Sequence, residues 1–270
     1  MNTRSAPDDD AARAPLVFIT GASSGIGQAL AACFARAGWR LALVARRDAE
    51  LRAWVDAALG PSAPRHAVYG ADVARPEAVI AAAERCLVDQ GLPDLVIACA
   101  GISVGMDSAQ REDLDVMRET FAVNNIGMAA TFHPFIAPMR ARGAGVLVGV
   151  ASVAAIRGLP GHGAYCASKA GVVAYCESLR GELRASGVSV LTLVPGYVAT
   201  PLTARNPYRM PFLMTPERFA DQAFAAIQRR RSYVVIPWQM GVAAKLMRLL
   251  PNALFDRVVA GRGRKPRRQP

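Results

Sequence analysis

The sequence GHGAYCASKAG, residues 161–171, places a tyrosine and a lysine four positions apart. On a helix, Tyr165 and Lys169 lie on one face, so the ammonium group can approach the phenol. A neighbouring cation stabilises phenolate and lowers a tyrosine pKa from its usual value of about 10. The pair therefore predicts a group that exchanges protons with a substrate hydroxyl at working pH. Because this spacing also occurs by chance, the prediction depends on partners elsewhere in the chain.

A serine that could share a substrate with this pair lies 13 positions (165 − 152) before the tyrosine. Ser152 follows GVLVGV, residues 145–150, a continuous apolar run that is typical of a buried strand. In open α/β sheets, ligands bind at the carboxyl ends of the strands. We therefore expect Ser152 and Tyr165 to open onto the same edge of a sheet.

A glycine-rich segment near the N-terminus indicates a nucleotide site. TGASSGIGQAL, residues 20–30, follows an apolar run and contains Gly21, Gly25 and Gly27. Because glycine has no Cβ, the backbone can turn sharply there and approach a ligand phosphate. The helix that follows offers unpaired N–H groups and a positive dipole end to a pyrophosphate. The segment predicts a dinucleotide-binding turn, and a turn made only for packing is the alternative.

Two arginines stand at the end of the second apolar run, in LVARRD. Proteins that bind NAD usually carry an acidic residue here, which hydrogen-bonds the adenosine ribose. Arg46 and Arg47 replace it, and a planar guanidinium group suits a 2′-phosphate. NADP(H) is therefore favoured over NAD(H), with Arg46 as the expected contact and Arg47 directed away. The alternative is that both arginines are solvated surface residues.

Seven short apolar runs must form the strands that position these residues. They lie at 15–20, 40–45, 66–70, 94–99, 145–150, 188–194 and 232–237, with helical segments between them. Most runs are continuous rather than alternating, as expected for strands covered by helices on both faces. The pattern predicts an α/β fold: a single Rossmann-type, doubly wound domain with a seven-stranded parallel sheet and helices on both faces.

The same pattern sets the expected division of the chain. We predict a flexible leader at 1–14, an NADP-binding catalytic domain at 15–240, a C-terminal helical extension at 241–260 and a basic tail at 261–270. The apolar face of the extension is expected to pack on the domain or against a second subunit, giving a homodimer or homotetramer. Weak contact of the helix and the tail with an anionic membrane surface is the alternative. The tail, GRGRKPRRQP, is expected to be solvated.

The TGxxxGxG turn, the tyrosine–lysine pair and the strand pattern together resemble the short-chain dehydrogenase/reductase family over residues 15–240. The resemblance implies hydride transfer between a nicotinamide and a carbonyl or secondary alcohol, with carbonyl reduction favoured because cells keep NADP largely reduced. Tyr165 is implied as general acid or base, and Lys169 as the group that lowers its pKa and binds the nicotinamide ribose. Ser152 is implied to hold the substrate oxygen, and Asn124 to fix a water in a proton relay.

The resemblance also implies the cofactor contacts. Asp72 matches the residue that contacts adenine, and Ala100-Gly101 matches half of the segment that usually has the sequence Asn-Asn-Ala-Gly. Cys99 stands in place of an asparagine there and is expected to fill the space as a small buried thiol. The full implied set is Gly21, Ser23, Ser24, Gly25, Ile26, Gly27, Arg46, Asp72, Ala100, Gly101, Tyr165, Lys169, Pro195, Gly196, Val198 and Thr200.

The substrate is expected to be an apolar small molecule that is otherwise undefined. Residues 201–217 are expected to form a lid. Its apolar residues either roof a pocket or pack the lid on the domain, and they are Leu202, Tyr208, Met210, Phe212, Leu213 and Met214. The other expected walls are residues 102–106, Ile156, Leu159, His162 and Tyr197.

Composition excludes several other classes of protein. The net charge of +11 is carried almost wholly by arginine, with three lysines in the chain, which is typical of a genome-wide bias. We therefore predict no specific nucleic-acid partner. Five dispersed cysteines without zinc-like spacing predict reduced thiols, a cytoplasmic location and no metal site. No apolar run reaches the roughly 18 residues that a membrane-spanning helix needs.

Two other functions share part of this pattern. Sugar-nucleotide epimerases and dehydratases use the same tyrosine–lysine pair, but they tend toward a TGxxGxxG turn and a longer C-terminal substrate domain. A non-catalytic NADP-sensing protein usually lacks the tyrosine or the lysine, and both are present here. An NADP-dependent oxidoreductase acting on a carbonyl or alcohol is therefore the leading hypothesis.

Overall fold

Seven parallel strands form one sheet in the order β3-β2-β1-β4-β5-β6-β7. This computed structural model describes residues 14–60, 66–204, 206–261 and 263–268. The predicted fold class is confirmed, and each strand lies within one residue of its predicted bounds. The strands are β1 Leu16–Thr20, β2 Arg40–Ala45, β3 His66–Gly70, β4 Leu95–Ala98, β5 Gly145–Val150, β6 Val188–Pro195 and β7 Tyr233–Ile236.

Helices connect the strands and cover both faces of the sheet. They are α1 Gly25–Arg36, α2 Asp48–Leu59, α3 Pro76–Asp89, α4 Asp113–Phe121, α5 Gly127–Arg142, α6 Gly163–Glu182, α7 Pro216–Gln228, α8 Trp238–Leu249 and α9 Asn252–Val259. A π-helical turn, Ala122–Ile126, joins α4 directly to α5. A short 3₁₀ helix, Val153–Ala155, precedes α6. None of the described helices is long and apolar enough to span a bilayer.

The side chains of the strands alternate between two apolar cores. In β1, Val17 and Ile19 belong to the core under α1, α2 and α7, whereas Leu16 and Phe18 belong to the core under α3, α5 and α6. The rings of Phe18 and Phe135 of α5 lie 4.9 Å apart between their centroids in a T-shaped contact. Because both faces are buried, consecutive positions Leu16 to Ile19 are all apolar, which explains the continuous run in the sequence.

The C-terminal helices pack beside the active-site edge of the sheet. Helices α8 and α9 are separated at Pro251, which cannot continue a helix. Arg157 joins them to the loop after β5, because its guanidinium carbon lies 3.8 Å from the ring centroid of Phe255. The same guanidinium donates to the carbonyl oxygens of Met247 and Leu250, at 2.5 and 2.7 Å. The extension is therefore part of the domain surface around the site.

The basic tail is anchored on the domain over residues 263–268, although Lys265 is the buried residue of that segment. Arg267 forms a two-point ion pair with the buried carboxylate of Asp113, at 2.7 and 3.1 Å, and Arg268 pairs with Glu119 at 2.9 Å. The tail was expected to be solvated; its other residues in this segment are exposed, but the acidic groups of α4 hold its arginines against the domain. The predicted leader lies outside the described residues except for Ala14.

Candidate active site

Two cavities lie at the carboxyl ends of the strands. The first, of about 600 Å³, is lined by the glycine turn and the ends of β2, β4, β5 and β6. The second, of about 270 Å³, is lined by the 3₁₀ helix, residues of the 197–212 segment and the C-terminal helices. Tyr165, Leu202 and Thr203 line both cavities, so the two spaces meet at the tyrosine.

The glycine turn brings β1 and β4 into close contact beneath the first cavity. Gly21 has φ +71°, and a Cβ added there would lie 2.7 Å from the Cα of Ala100. Helix α1 begins at Gly25, and Ser24 before it makes no side-chain capping bond. The first N–H groups of α1 are therefore available at the cavity wall, an arrangement that suits a phosphate.

The adenosine end of the cavity carries both arginines that follow β2. Arg46 is mostly exposed, with its Nη1 atom 3.9 Å from the carboxylate of Asp72. Arg47 donates to the Ser23 hydroxyl at 3.3 Å and pairs with Glu50 at 3.3 Å. Both side chains line the cavity, so the expectation that Arg47 is directed away was wrong. The turn into α2 places the two guanidinium groups on the same cavity wall.

Every predicted cofactor contact lines the first cavity except Gly196. Gly196 instead donates its backbone N–H to the carbonyl of Ile236 at 2.7 Å. A Cβ at this position would lie 2.8 Å from Met240 Cγ, so the space beside Gly196 belongs to α8. The absence of a side chain at Gly196 therefore allows α8 to pack against the end of β6. Cys99 lines the cavity and is half-buried, where a small buried thiol was expected.

Tyr165 and Ser152 both line the second cavity, and the Ser152 hydroxyl lies close enough to the phenol to lower its pKa. Ser152 caps the 3₁₀ helix, and its Oγ atom accepts from the N–H of Ala154 at 3.2 Å. Tyr165 lies in the first turn of α6. The helix starts close to the end of β5, so these two hydroxyl groups meet where the cavities join, as predicted.

Lys169 lies one turn further along α6 and is buried. Its Nζ atom donates to the carbonyl of Val150 at 2.8 Å and lies 5.9 Å from the ring centroid of Tyr165. A Cβ at Gly101 would lie 3.2 Å from the same Nζ atom. The ammonium thus stands at the cavity floor beside the tyrosine, in the orientation expected for an i, i+4 pair.

Burial shifts the pKa values of this pair in opposite directions. It raises the pKa of Tyr165 to about 12, and the lowering effect of the Ser152 hydroxyl offsets only part of that increase. Burial also lowers the pKa of Lys169 to about 8. In the protein without ligands, desolvation of the phenolate therefore dominates the tyrosine pKa, and its lowering by Lys169 with an oxidised nicotinamide stays a prediction. At pH 7 the phenol is neutral and carries a proton that it can donate.

Asn124 lies in the π-helical turn, with its side chain 1% exposed. Its Oδ1 atom accepts from the N–H of Ile102 at 2.8 Å, and its Nδ2 atom donates to the carbonyl of Ile102 at 3.0 Å. Nδ2 also lies 2.9 Å from the Ser168 hydroxyl. Asn124 therefore ties the loop after β4 to α6, beside Lys169. Turns of π type occur frequently at functional sites.

The second cavity contains several of the predicted substrate walls. Ile156, Leu159, His162, Tyr197, Leu202, Tyr208 and Phe212 line it, and Ser103 is the residue of 102–106 that does. Met210 and Leu213 lie outside the lining, and Met214 is buried in a bridge with Val198. Sequence reasoning missed the C-terminal contribution, which is Met240, Ala243, Ala244, Met247, Phe255 and Lys265. Helical spacing had indicated an apolar face there without showing what it covers.

The other titratable groups form no second reactive centre among the described residues. No group of three or more histidine, cysteine, aspartate and glutamate side chains could hold a metal ion within that part of the chain. The five cysteines are free thiols, and burial raises the pKa of Cys99 to about 12. The chemistry of the site therefore rests on the serine, tyrosine and lysine.

A doubly wound sheet with a dinucleotide-sized cleft leading to these three side chains defines a Rossmann-fold oxidoreductase. The chain belongs to the short-chain dehydrogenase family, whose model, described as short chain dehydrogenase, matches residues 15–209. A Myxococcus xanthus (strain DK1622) protein named as an oxidoreductase is 39% identical over 239 residues, covering 88% of this chain and 94% of its own length.

Two solved structures resemble the whole fold. A short-chain dehydrogenase from Sphingobium yanoikuyae in complex with NADPH has 28% sequence identity and a TM-score of 0.75, with 88% of this chain and 97% of that chain covered. A short-chain dehydrogenase/reductase from Burkholderia phymatum in complex with NAD has 25% identity and a TM-score of 0.78, with 95% and 98% covered.

Proposed function

We propose that the protein is an NADP(H)-dependent oxidoreductase that interconverts a carbonyl and a secondary alcohol, with carbonyl reduction as the working direction. The substrate is a small molecule with an apolar body. One observation carries the proposal: Tyr165 lines both a cleft of cofactor size and a smaller apolar cavity, and Ser152 lines that second cavity with it. The relatives solved with NADPH and with NAD support a nicotinamide cofactor in that cleft.

The residues of the first cavity fit such a cofactor. The uncapped start of α1 would bind the diphosphate, and Asp72 would contact the adenine. Val198 and Thr200 would hold the carboxamide and diphosphate beside Pro195, and the space above Gly101 would admit the ribose against Lys169. When bound, the nicotinamide supplies or accepts a hydride.

The chain's own residues would handle the substrate oxygen and its proton. The Ser152 hydroxyl would donate to the carbonyl oxygen and hold it beside the phenol. Tyr165, which is protonated at pH 7, would then donate its proton to that oxygen as negative charge develops. The Lys169 ammonium would stabilise the phenolate that results. Asn124 would keep the loop after β4 in place and support a proton path from Lys169 to solvent.

Replacing Arg46 with alanine is expected to weaken NADPH binding about tenfold and leave NADH binding nearly unchanged, because one guanidinium contact to the 2′-phosphate is lost. Arg47→Ala should have a smaller effect, since Arg47 is already engaged by Ser23 and Glu50. Fluorescence titration with both cofactors measures the change. Arg36→Ala is the control, because Arg36 pairs with Asp221 outside the cavity. Equal affinity of the parent protein for NADPH and NADH would refute the preference.

We also propose a homodimer or homotetramer, with an apolar stripe on α8 as a subunit contact. The stripe comprises Trp238, Val242, Leu246 and Leu249, which lie at helical spacing and are largely exposed; Trp238 is 70% exposed and Leu249 80%. Contiguous apolar patches on soluble proteins mark interaction sites.

We also propose a cytoplasmic location, because five free thiols suit a reducing compartment.

Leu246→Glu is expected to convert the oligomer to monomer, because a carboxylate would be buried in an apolar contact. Light scattering measures the mass, and Val88→Glu, at an exposed apolar position of α3, should leave it unchanged. If the parent protein is monomeric and co-sediments with anionic vesicles, and if Leu246→Glu abolishes this co-sedimentation, the result would instead favour membrane contact through α8.

A further inference from the structure

The packed tail brings a lysine into the wall of the second cavity. Lys265 is 8% exposed, and its Nζ atom donates to the Ser103 hydroxyl at 3.1 Å and to the Leu202 carbonyl at 3.0 Å. Both acceptors are neutral. An ammonium group has three N–H donors, so one is left for a ligand in the cavity.

The position of this lysine is fixed by its neighbours on both sides. The N–H of Gly105 donates to the carbonyl of Pro266 at 3.2 Å, and a Cβ at Gly105 would overlap the carbonyl of Lys265. Arg267 and Arg268 anchor the following residues on Asp113 and Glu119. Lys265 is therefore held in a defined place in the wall.

The charges around the cavity are unbalanced. Among the described lining residues there is no aspartate or glutamate, and the other cation, Arg157, is engaged by backbone carbonyls and the Phe255 ring. Burial lowers the pKa of Lys265 to about 8, so most molecules carry the charge at pH 7. A buried ammonium without a carboxylate partner is stabilised by any anion that enters.

A second polar side chain in the same wall also has an atom available to a ligand. Asn206 lines the cavity, and its Oδ1 atom is buried with no hydrogen-bond partner among the described residues. The oxygen and nitrogen of an amide can exchange places by rotation. Asn206 can therefore present its NH₂ group to a ligand in the same cavity, at the expense of a weak contact with the Met210 sulfur.

We propose that Lys265 binds a carboxylate of the substrate, so that the preferred substrates are keto acids. Lys265 and Ser103 line the second cavity together with Tyr165, so a molecule held by its carboxylate at Lys265 shares that cavity with the phenol that would protonate its carbonyl oxygen. This inference rests on the proposed function for the reacting end and names the substrate class of the same site.

A binding experiment tests the cation independently of turnover. Straight-chain carboxylates from butanoate to decanoate, and the matching primary amides, are titrated calorimetrically with and without NADPH. The parent protein should bind the best carboxylate about tenfold more tightly than its amide, and Lys265→Met should remove that difference. Lys245→Met is the matched control, because Lys245 is exposed on α8 and lies outside the lining. No carboxylate preference in the parent protein, or its retention in Lys265→Met, overturns the proposal.

Turnover separates this inference from the proposed function. Keto acids of the same lengths and their methyl esters are compared through NADPH oxidation. Lys265→Met should lower kcat/KM for the acids about tenfold and leave the esters unchanged, because only the acids contact the ammonium. Equal loss for acids and esters would show that Lys265 only holds the tail and loop together. If no carbonyl is reduced, the proposed function fails while the titration still decides the role of Lys265.

Discussion

Tyr165→Phe is expected to lower kcat about 1,000-fold while leaving NADPH affinity within a few fold of the parent value. The phenol is the protonated group at the junction of the two cavities, and Ser152 lines the second cavity with it. Phenylalanine keeps the ring and its packing but has no proton to donate. The negative charge that develops on the substrate oxygen would then be met by Ser152 alone.

Single-turnover NADPH oxidation and fluorescence titration measure the two quantities separately. Tyr197→Phe is the matched control, since this tyrosine also lines the second cavity but does not line the cofactor cavity. We expect it to change kcat only a few fold. A Tyr165→Phe enzyme that keeps more than about a tenth of the parent kcat would contradict the assignment of the acid, because general acid catalysis contributes more than that.

Gly21→Ala is expected to lower the free energy of unfolding by about 2–5 kcal/mol and to abolish measurable NADPH binding. Two effects add at this position. An alanine would be strained at φ +71°, and its Cβ would lie 2.7 Å from Ala100 Cα and 2.8 Å from Ala100 N. These contacts are with backbone atoms, so relief requires β1 and β4 to separate at the floor of the cofactor cavity.

Gly38→Ala is a control that introduces the backbone strain without the steric overlap, so the difference between the two variants measures the overlap. Gly38 has φ +81°, but a Cβ there would have no neighbour within 4 Å. Gly38→Ala should therefore cost only the backbone strain, about 1 kcal/mol, and leave NADPH binding intact. Urea unfolding and cofactor titration measure both variants. Equal losses for the two would show that the approach of β1 to Ala100 has no special role.

Features that depend on local pattern were predictable from the sequence. The continuous apolar runs gave the strands because both sheet faces are covered, and the parallel order follows from helices alternating with strands. The glycine turn and the Tyr165–Lys169 pair were predictable because each is a short segment whose spacing fixes its geometry. Ser152 could be placed beside them because strand ends share one edge of the sheet.

Features that depend on distant contacts were not predictable. Asp113 and Arg267 are 154 residues apart, and nothing in either segment indicates that one binds the other. Lys265 lies two residues before Arg267, in a segment that this pairing helps to anchor beside the second cavity. The pKa of Tyr165 is raised by burial, which depends on the packed structure, whereas the sequence shows only the neighbouring lysine. Gly196 has the expected neighbours in sequence, but α8 occupies the space beside it.

The π-helical turn at Ala122–Ile126 changes the rotational phase of a long helical rod. Each residue of an α-helix advances the side chains by about 100°, and a π turn accommodates roughly one extra residue. The apolar stripe of α4 is thereby offset from that of α5. Val116 of α4 packs with Met106 and Ala164, whereas Phe132 and Phe135 of α5 pack into the core under the sheet. Asn124 lies in the π-helical turn between these two helices. Its polar side chain therefore enters the interior without taking the place of an apolar residue in either stripe.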